Sequence, residues 1–179
     1  MDNIKIVNII ASTRIKGNFD IEKLSTILEN TYYDPTSFPG LIYKKKKFTV
    51  IMFFSGKISS HGTKSELDAK KTIIDVVKEI KNLNGIIGSD QIEKIKIENV
   101  VGSGDFKNEI DIELLISSLR NANYKPEIFP GLIYRPYNNS IVCTLFKSGK
   151  INIVGAKKES EIYDTFNYIR KILIDGFFF

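Results

Sequence analysis

Apolar and polar positions alternate along this chain with two periods, and the changes of period divide it into elements. Residues 4–12 (IKIVNIIAS) and 95–103 (IKIENVVGS) are β-branched and alternating, which predicts a strand in each. A short helix is expected after each, opening near Asp20 and near Asp111, acidic residues suited to a helix N-terminus. A turn through Pro35 leads to strands at about 41–47, 48–55 and 57–62, and a turn through Pro126 to strands at about 132–137, 140–147 and 150–155. Ser-Gly-Lys at 55–57 and 148–150 supplies the tight turn between the last two strands of each set. A helical period then covers about 65–83 and 158–174. In the first of these, Leu67, Ile73, Ile74, Val77 and Ile80 form an apolar stripe, with lysines on the opposite side. Strands then helix, twice over, predict an α+β fold: an antiparallel sheet with helices on one face.

The two sets are copies. IKIVNIIAS answers IKIENVVGS, and NTYYDPTSFPGLIY (30–43) answers NANYKPEIFPGLIY (121–134), both at an offset of 91. FFSGKISSHGTKSE (53–66) answers FKSGKINIVGAKKE (146–159) at an offset of 93. The two extra residues fall in a turn, where KKKK (44–47) is replaced by the longer RPYNNS (135–140), a place where insertion is tolerated. Two homologous units are expected, at residues 1–91 and 92–179.

Strand side chains alternate between two faces. The opening strand divides into Val7, Ile9, Ala11 and Ile6, Asn8, Ile10; the 48–55 strand into Val50, Met52, Phe54 and Thr49, Ile51, Phe53. Both sets are largely apolar. Either the strands are buried on both faces, which the pattern alone favours, or an apolar face is left open for a partner.

Composition narrows the class. The chain has 179 residues, 42% hydrophobic and 26% charged, which is the balance of a folded globular protein. Nothing in MDNIKIVNII has the form of a signal peptide, and no apolar run is long enough to span a bilayer. A single cysteine, Cys143, excludes an intramolecular disulfide and fits a reducing compartment, where the Asn138-Asn139-Ser140 sequon would stay unmodified. The net charge of +5 fits a polyanionic partner without requiring one. No nucleophile–base pair, metal-ligand cluster or phosphate loop is present, and Gly102-Ser103-Gly104 is an isolated short motif; no enzyme, cofactor or metal is expected.

The paired FPGLIY blocks, the MFFSGK (52–57) and LFKSGK (145–150) blocks, the asparagine in each opening strand and the closing GAKKESEIY (155–163) resemble the TATA-binding protein family over residues 4 to 173. The resemblance implies two tandem repeats forming a pseudo-twofold saddle, a ten-stranded antiparallel sheet with four helices on the convex face. It implies a general transcription factor that kinks A/T-rich promoter duplex from the minor groove, the family being itself a standard instance of that mode. The intercalating phenylalanines match Phe38, Phe53, Phe129 and Phe146. Groove contacts match Asn8, Ile10, Ile51, Asn99 and Val101, and phosphate contacts match Lys44, Ser55, Lys57, Lys64, Arg135, Ser148, Lys150 and Lys157.

Five groove positions depart from the family. His61 and Val154 stand where it has threonine, Ser59 and Asn152 where it has valine, and Thr144 where it has leucine. Altered DNA preference follows as an expectation, and so does an alternative role: a paralogue that keeps the fold and scaffolds transcription assemblies with weak specificity. A partner resembling general transcription factor IIB is implied at Glu127 and Ile128, with Lys125 replacing an acidic neighbour; a factor IIA-like protein or regulator is implied at residues 32–36. The basic helix (Lys70, Lys71, Lys78, Lys81) is a further regulator surface or a solvated face. Pro-Gly in the first repeat is archaeal in character, whereas GAKKESEIYDTF and the basic charge are eukaryotic in character. The nucleus is the expected location, or the cytoplasm of an archaeal cell. The apolar tail GFFF (176–179) has no explanation at this level.

Overall fold

The computed structural model describes residues 3–45, 47–137 and 140–179; Lys46 of the lysine run and the two asparagines of the sequon lie outside the described residues. Packing divides the chain into two compact units: Asn8–Glu98, and the residues before Asn8 together with Asn99–Phe179. In chain order the first elements are β1 (Ile4–Arg14), β2 (Asn18–Phe19), α1 (Ile21–Ile27), β3 (Thr31–Asp34), β4 (Phe38–Lys45), β5 (Phe48–Phe53), β6 (Lys57–Thr63), α2 (Glu66–Asn82) and β7 (Ile86–Ile87). They are followed by β8 (Lys96–Asp105), α3 (Ile112–Ser118), β9 (Ala122–Lys125), β10 (Phe129–Tyr134), β11 (Val142–Phe146), β12 (Lys150–Ala156) and α4 (Glu159–Asp175). Hydrogen bonding orders ten strands β3-β4-β5-β6-β1-β8-β12-β11-β10-β9, while β2 and β7 pair separately.

Each helix starts where its sequence dictates. Asp20 accepts from the Lys23 N–H and Asp111 from the Leu114 N–H, satisfying donors that the first helical turn leaves open. Ser65 does the same for α2 through the Asp68 N–H. At α4 the Glu161 carboxylate reaches back to the N–H groups of Lys157 and Lys158.

In both units one face of the sheet is sealed by a long helix. Val50, Met52 and Ile58 are fully buried with Ile73 and Ile80 of α2, and the Ser60 hydroxyl donates to the Ala69 carbonyl of that helix. Leu132, Cys143, Leu145, Ile151 and Ile153 are buried with Ile162, Phe166, Ile169 and Leu173 of α4. A Cβ on Gly102 would lie 2.3 Å from Ile162, and one on Gly104 2.7 Å from Phe166, so α4 rests directly on the β8 backbone. Full burial of each such aliphatic or aromatic chain contributes about 1.5–3 kcal/mol. The alternating burial in β5, β6, β11 and β12 leaves the opposite face less covered. Burial of the strands on both faces, which the pattern alone favoured, is therefore corrected to one sealed and one open face.

Several details differ from the sequence expectation. The α2 face is Ala69, Thr72, Ile73, Val76, Val77 and Ile80; Ile74 is at its edge and Leu67 is 75% exposed. Leu67 lies six residues before Ile73, about 120° around the helix, so it misses the sheet. Phe54 is 62% exposed because β5 ends at Phe53, whose carbonyl takes the Gly56 N–H as the chain turns. The expected division of the first strand into alternating sets also slips: Ile4 and Ile6 are buried, then Ile9 and Ala11, with Val7 and Asn8 both partly exposed between them. β3 and β9 carry little apolar alternation, and are strands because they pair with β4 and β10. The tail is packed. Phe178 is buried, takes the Asp111 N–H on its carbonyl and donates its own N–H to Leu173, while Phe179 lies 6.0 Å from Phe106, centroid to centroid. Gly85 closes α2 in the same manner, donating to Ile80 and accepting from Asp20.

Candidate nucleic-acid interface

The open face of each unit is built from the repeated blocks. In the Asn8–Glu98 unit, Phe38 begins β4 and Phe53 ends β5, and their ring centroids are 5.7 Å apart in an edge-to-face arrangement of 67°. In the other unit Phe129 and Phe146 stand 6.0 Å apart at 68°. Pro-Gly explains the pairing. Gly40 is the cross-strand partner of Phe53, and a Cβ there would lie 2.6 Å from the Phe38 ring and 3.0 Å from the Phe53 ring. Gly131 faces Phe146, and its Cβ would meet Phe129 at 2.7 Å and Phe146 at 3.1 Å. Each glycine is thus the floor on which two rings rest, and any side chain there would push them off. Sequence reading singled out the rings and missed this seat, although Gly in both FPGLIY copies was the available signal.

The two strand asparagines have a matching geometry. Asn8 Oδ1 accepts the Gly62 N–H at 2.7 Å, and Asn99 Oδ1 accepts the Gly155 N–H at 2.9 Å. Gly62 and Gly155 have φ of +91° and +93°, and each lies in a bulge where two residues of β6 or β12 stand opposite one of β1 or β8. A backbone N–H can only donate, so the carboxamide oxygen must face it and the NH2 group turns away from the bulge. Each asparagine satisfies backbone and presents a donor pair at once. Ile10 follows Asn8 by two residues, and Val101 follows Asn99; both are partly exposed.

The remaining open-face positions differ between units. His61 pairs across the strands with Thr49, and Ser59 with Ile51. The equivalent positions hold Val154 with Val142, and Asn152 with Thr144. Ser59 Oγ lies 2.9 Å from His61 Nε2, and burial pushes the imidazole below the ordinary histidine value, so it is neutral at pH 7. Lys44, Ser55, Lys57 and Lys64 in one unit and Arg135, Ser148, Lys150 and Lys157 in the other are exposed where strands begin or end. Arg14, which the sequence reading did not select, reaches the Ser55 carbonyl at 2.8 Å and braces that turn. Lys125, Glu127 and Ile128 occupy the β9–β10 turn, where Ile128 is 77% exposed. In the β3–β4 turn, hydrogen bonds from Thr36 hold the exposed Asp34 carboxyl below its usual range.

Comparison with known proteins accounts for the whole pattern. A family model described as transcription factor TFIID, or TATA-binding protein, matches residues 3–83 and again 94–175. A TATA-box-binding protein from Methanocaldococcus jannaschii is 38% identical over 174 residues, spanning 95% of this chain and 91% of that protein. One from Thermoplasma volcanium is 36% identical over 176 residues, 96% of this chain and 95% of its own. A solved structure of the Methanococcus jannaschii TATA-binding protein superimposes with a TM-score of 0.80 at 38% identity, covering 98% of both chains. The α+β class with two repeats, ten antiparallel strands and four helices stands as expected. With each repeat matched in turn by one model and its relatives aligned almost end to end, the chain belongs to the TATA-binding protein family, which are DNA-binding transcription factors and not enzymes.

Proposed function

We propose that this chain binds A/T-rich promoter duplex from the minor groove, kinks it by inserting phenylalanine rings, and nucleates assembly of the transcription machinery. One observation carries the reading: both units present, on the open face, two rings seated over a glycine and an asparagine amide turned outward. The groove of A·T pairs offers acceptors only, and an NH2 group is the complement they need. Phe38 with Phe53, and Phe129 with Phe146, act as wedges; unstacking a step costs about a few kcal/mol, offset by apolar burial of Ile10, Ile51 and Val101 against the groove. Lys44, Lys57, Lys64, Arg135, Lys150 and Lys157 neutralise phosphates, with Ser55 and Ser148 beside them.

The β9–β10 turn with Lys125, Glu127 and Ile128 receives a factor IIB-like partner, and the β3–β4 turn a factor IIA-like protein or regulator. The relatives reported above are archaeal, so the cytoplasmic location fits them and the nuclear one has no support. A second reading rests on the five changed groove positions, of which Ser59 and His61 are engaged with each other: a scaffold that retains the fold with weak DNA preference.

Competition between A/T-rich and scrambled duplexes across salt concentrations tests these readings. The first expects a clear preference for the A/T-rich duplex and a slope of log K against log salt of about −5, from six phosphate contacts. Equal affinities would leave only the scaffold. Phe129→Ala and Phe146→Ala are expected to abolish most bending, read by energy transfer between duplex ends, with little change in thermal stability. If stability collapses instead, those rings are core and not wedges.

A further inference from the structure

Under the minor-groove reading, on which this inference rests, the two units do not meet equivalent base pairs with the same chemistry. Val142 and Val154 form an apolar pair on one open face, while Thr49 and His61 form a polar pair at the matching place on the other. An apolar pair gives a guanine N2 amino group nothing to donate to, and an unpaired buried donor is costly. His61 is different. It is half-buried and held by Ser59 at 2.9 Å, and its alternation with Ser60, which bonds to α2, fixes it on the open face. If the serine hydroxyl donates to Nε2, Nδ1–H remains as a donor and serine Oγ keeps an accepting lone pair. If Nε2–H donates to Oγ, Nδ1 becomes the acceptor and the serine O–H the donor. In either tautomer the pair offers one donor and one acceptor.

We propose that His61, supported by Ser59 and facing Thr49, is a specificity-determining residue that accommodates a G·C pair at the base pair it meets, whereas Val154 and Val142 restrict the matching base pair to a groove without an amino group. Adenine N3 or thymine O2 takes the donor of the Ser59–His61 pair; guanine N2–H takes its acceptor. The protein therefore recognises a promoter element that is degenerate on one side and strict on the other.

The test walks a single G·C pair, and in parallel an inosine·C pair lacking the N2 amino group, across an A/T-rich duplex. The readout for each protein is the ratio of its G·C to its inosine·C affinity at each position. The full-length wild type is expected to show a ratio near one at a position on one side and a loss of about tenfold at its symmetry mate. His61→Val should make both sides strict, and Val154→His with Asn152→Ser should relax the strict side. A symmetric wild-type profile, or a profile unchanged by His61→Val in a protein that still melts cooperatively, overturns the proposal. The wild-type inosine comparison needs no variant, so a misfolded variant does not remove the test. Failure of the minor-groove reading itself looks different: no preference for the all-A·T duplex over a scrambled one.

Discussion

The two halves of the molecule share most devices that answer to the backbone and differ mainly where packed side chains alone are involved. The ring seats Gly40 and Gly131, the bulge glycines Gly62 and Gly155 with their asparagines, and the helix caps Asp20 and Asp111 recur in pairs. The cores beneath them have diverged. Phe106 stacks on Phe166 at 4.6 Å in the second half, where the first has fully buried Ile15 and Ile73. On the outer flank, Tyr43 and Lys45 both donate to Glu79, whereas Tyr134 has an aromatic neighbourhood in which Tyr137 and Tyr168 are 5.6 Å apart. The lesson is that a backbone N–H without a ladder or helical partner, or a strained φ, leaves few solutions, while a packed volume can be filled in many ways.

The sharpest break in that comparison is in the cores. Phe166→Ala should cost about 3–5 kcal/mol, and Ile73→Ala about 2–4, because only the first also strands a stacked partner. Urea unfolding monitored by circular dichroism gives both numbers; a larger loss for Ile73→Ala would mean that the stack adds nothing. Next come the shared devices. Asn99→Ala should cost about 0.5–1.5 kcal/mol and Asn8→Ala less, because the Gly155 N–H is part-buried whereas the Gly62 N–H is exposed and water can replace its acceptor. Asn8→Asp and Asn99→Asp keep that acceptor and replace the outward NH2 by a carboxylate, so the melting temperature should hold while duplex affinity falls at least about tenfold. If the aspartates melt as early as the alanines, the asparagine oxygen is not what holds the bulge.

A smaller effect separates the flanks. The hydrogen bond to Glu79 raises Lys45 above its ordinary 10.5, and burial, then the charge of Glu79, raises Tyr43 above its ordinary 10.0. Folding favours the protonated form of both, so their contribution is whole below about pH 10 and is lost as pH rises through the raised values. Lys45 and Glu79 are partly exposed, which keeps the pair to about 0–1 kcal/mol. Thermal melts from pH 9 to 11.5 should show a shallow alkaline loss that Glu79→Gln reduces, the part due to burial of Tyr43 and of the tyrosines in the other half remaining; an unchanged loss would mean that Glu79 contributes nothing to it. The least effect concerns Cys143, fully buried and with its thiol pushed up to about 12 by desolvation. Iodoacetamide at pH 8 should not label it in the native protein, so labelling in mild denaturant reports opening of the second half alone. Rapid native labelling would show that half to be the looser one.

The amino-acid sequence by itself determined the duplication, the order of the longer strands and the helices in each copy, and the caps at Asp20 and Asp111. These follow from local periodicity, from turn chemistry and from identity between copies, none of which needs a partner distant in sequence. It also carried the family, through blocks that recur in order. Tertiary structure decided what alternation could not. Leu67 and Ile74 count as apolar in any stripe, but only the direction from which the sheet meets α2 excludes them. Phe54 matches its neighbours in hydrophobicity, yet the turn after Phe53 puts it in solvent. β3 and β9 have no pattern of their own and are strands only through β4 and β10. GFFF gains its role from Asp111, Phe106 and Leu173, and Asn8 and Asn99 gain their outward donors from glycines more than 50 residues away. For the α2 face, the tail's bond to Asp111 and the two asparagines the deciding partner is far along the chain, and hydrogen bonding and packing across that distance leave no local trace to read; Phe54, β3 and β9 are decided by the neighbouring turn and hairpin.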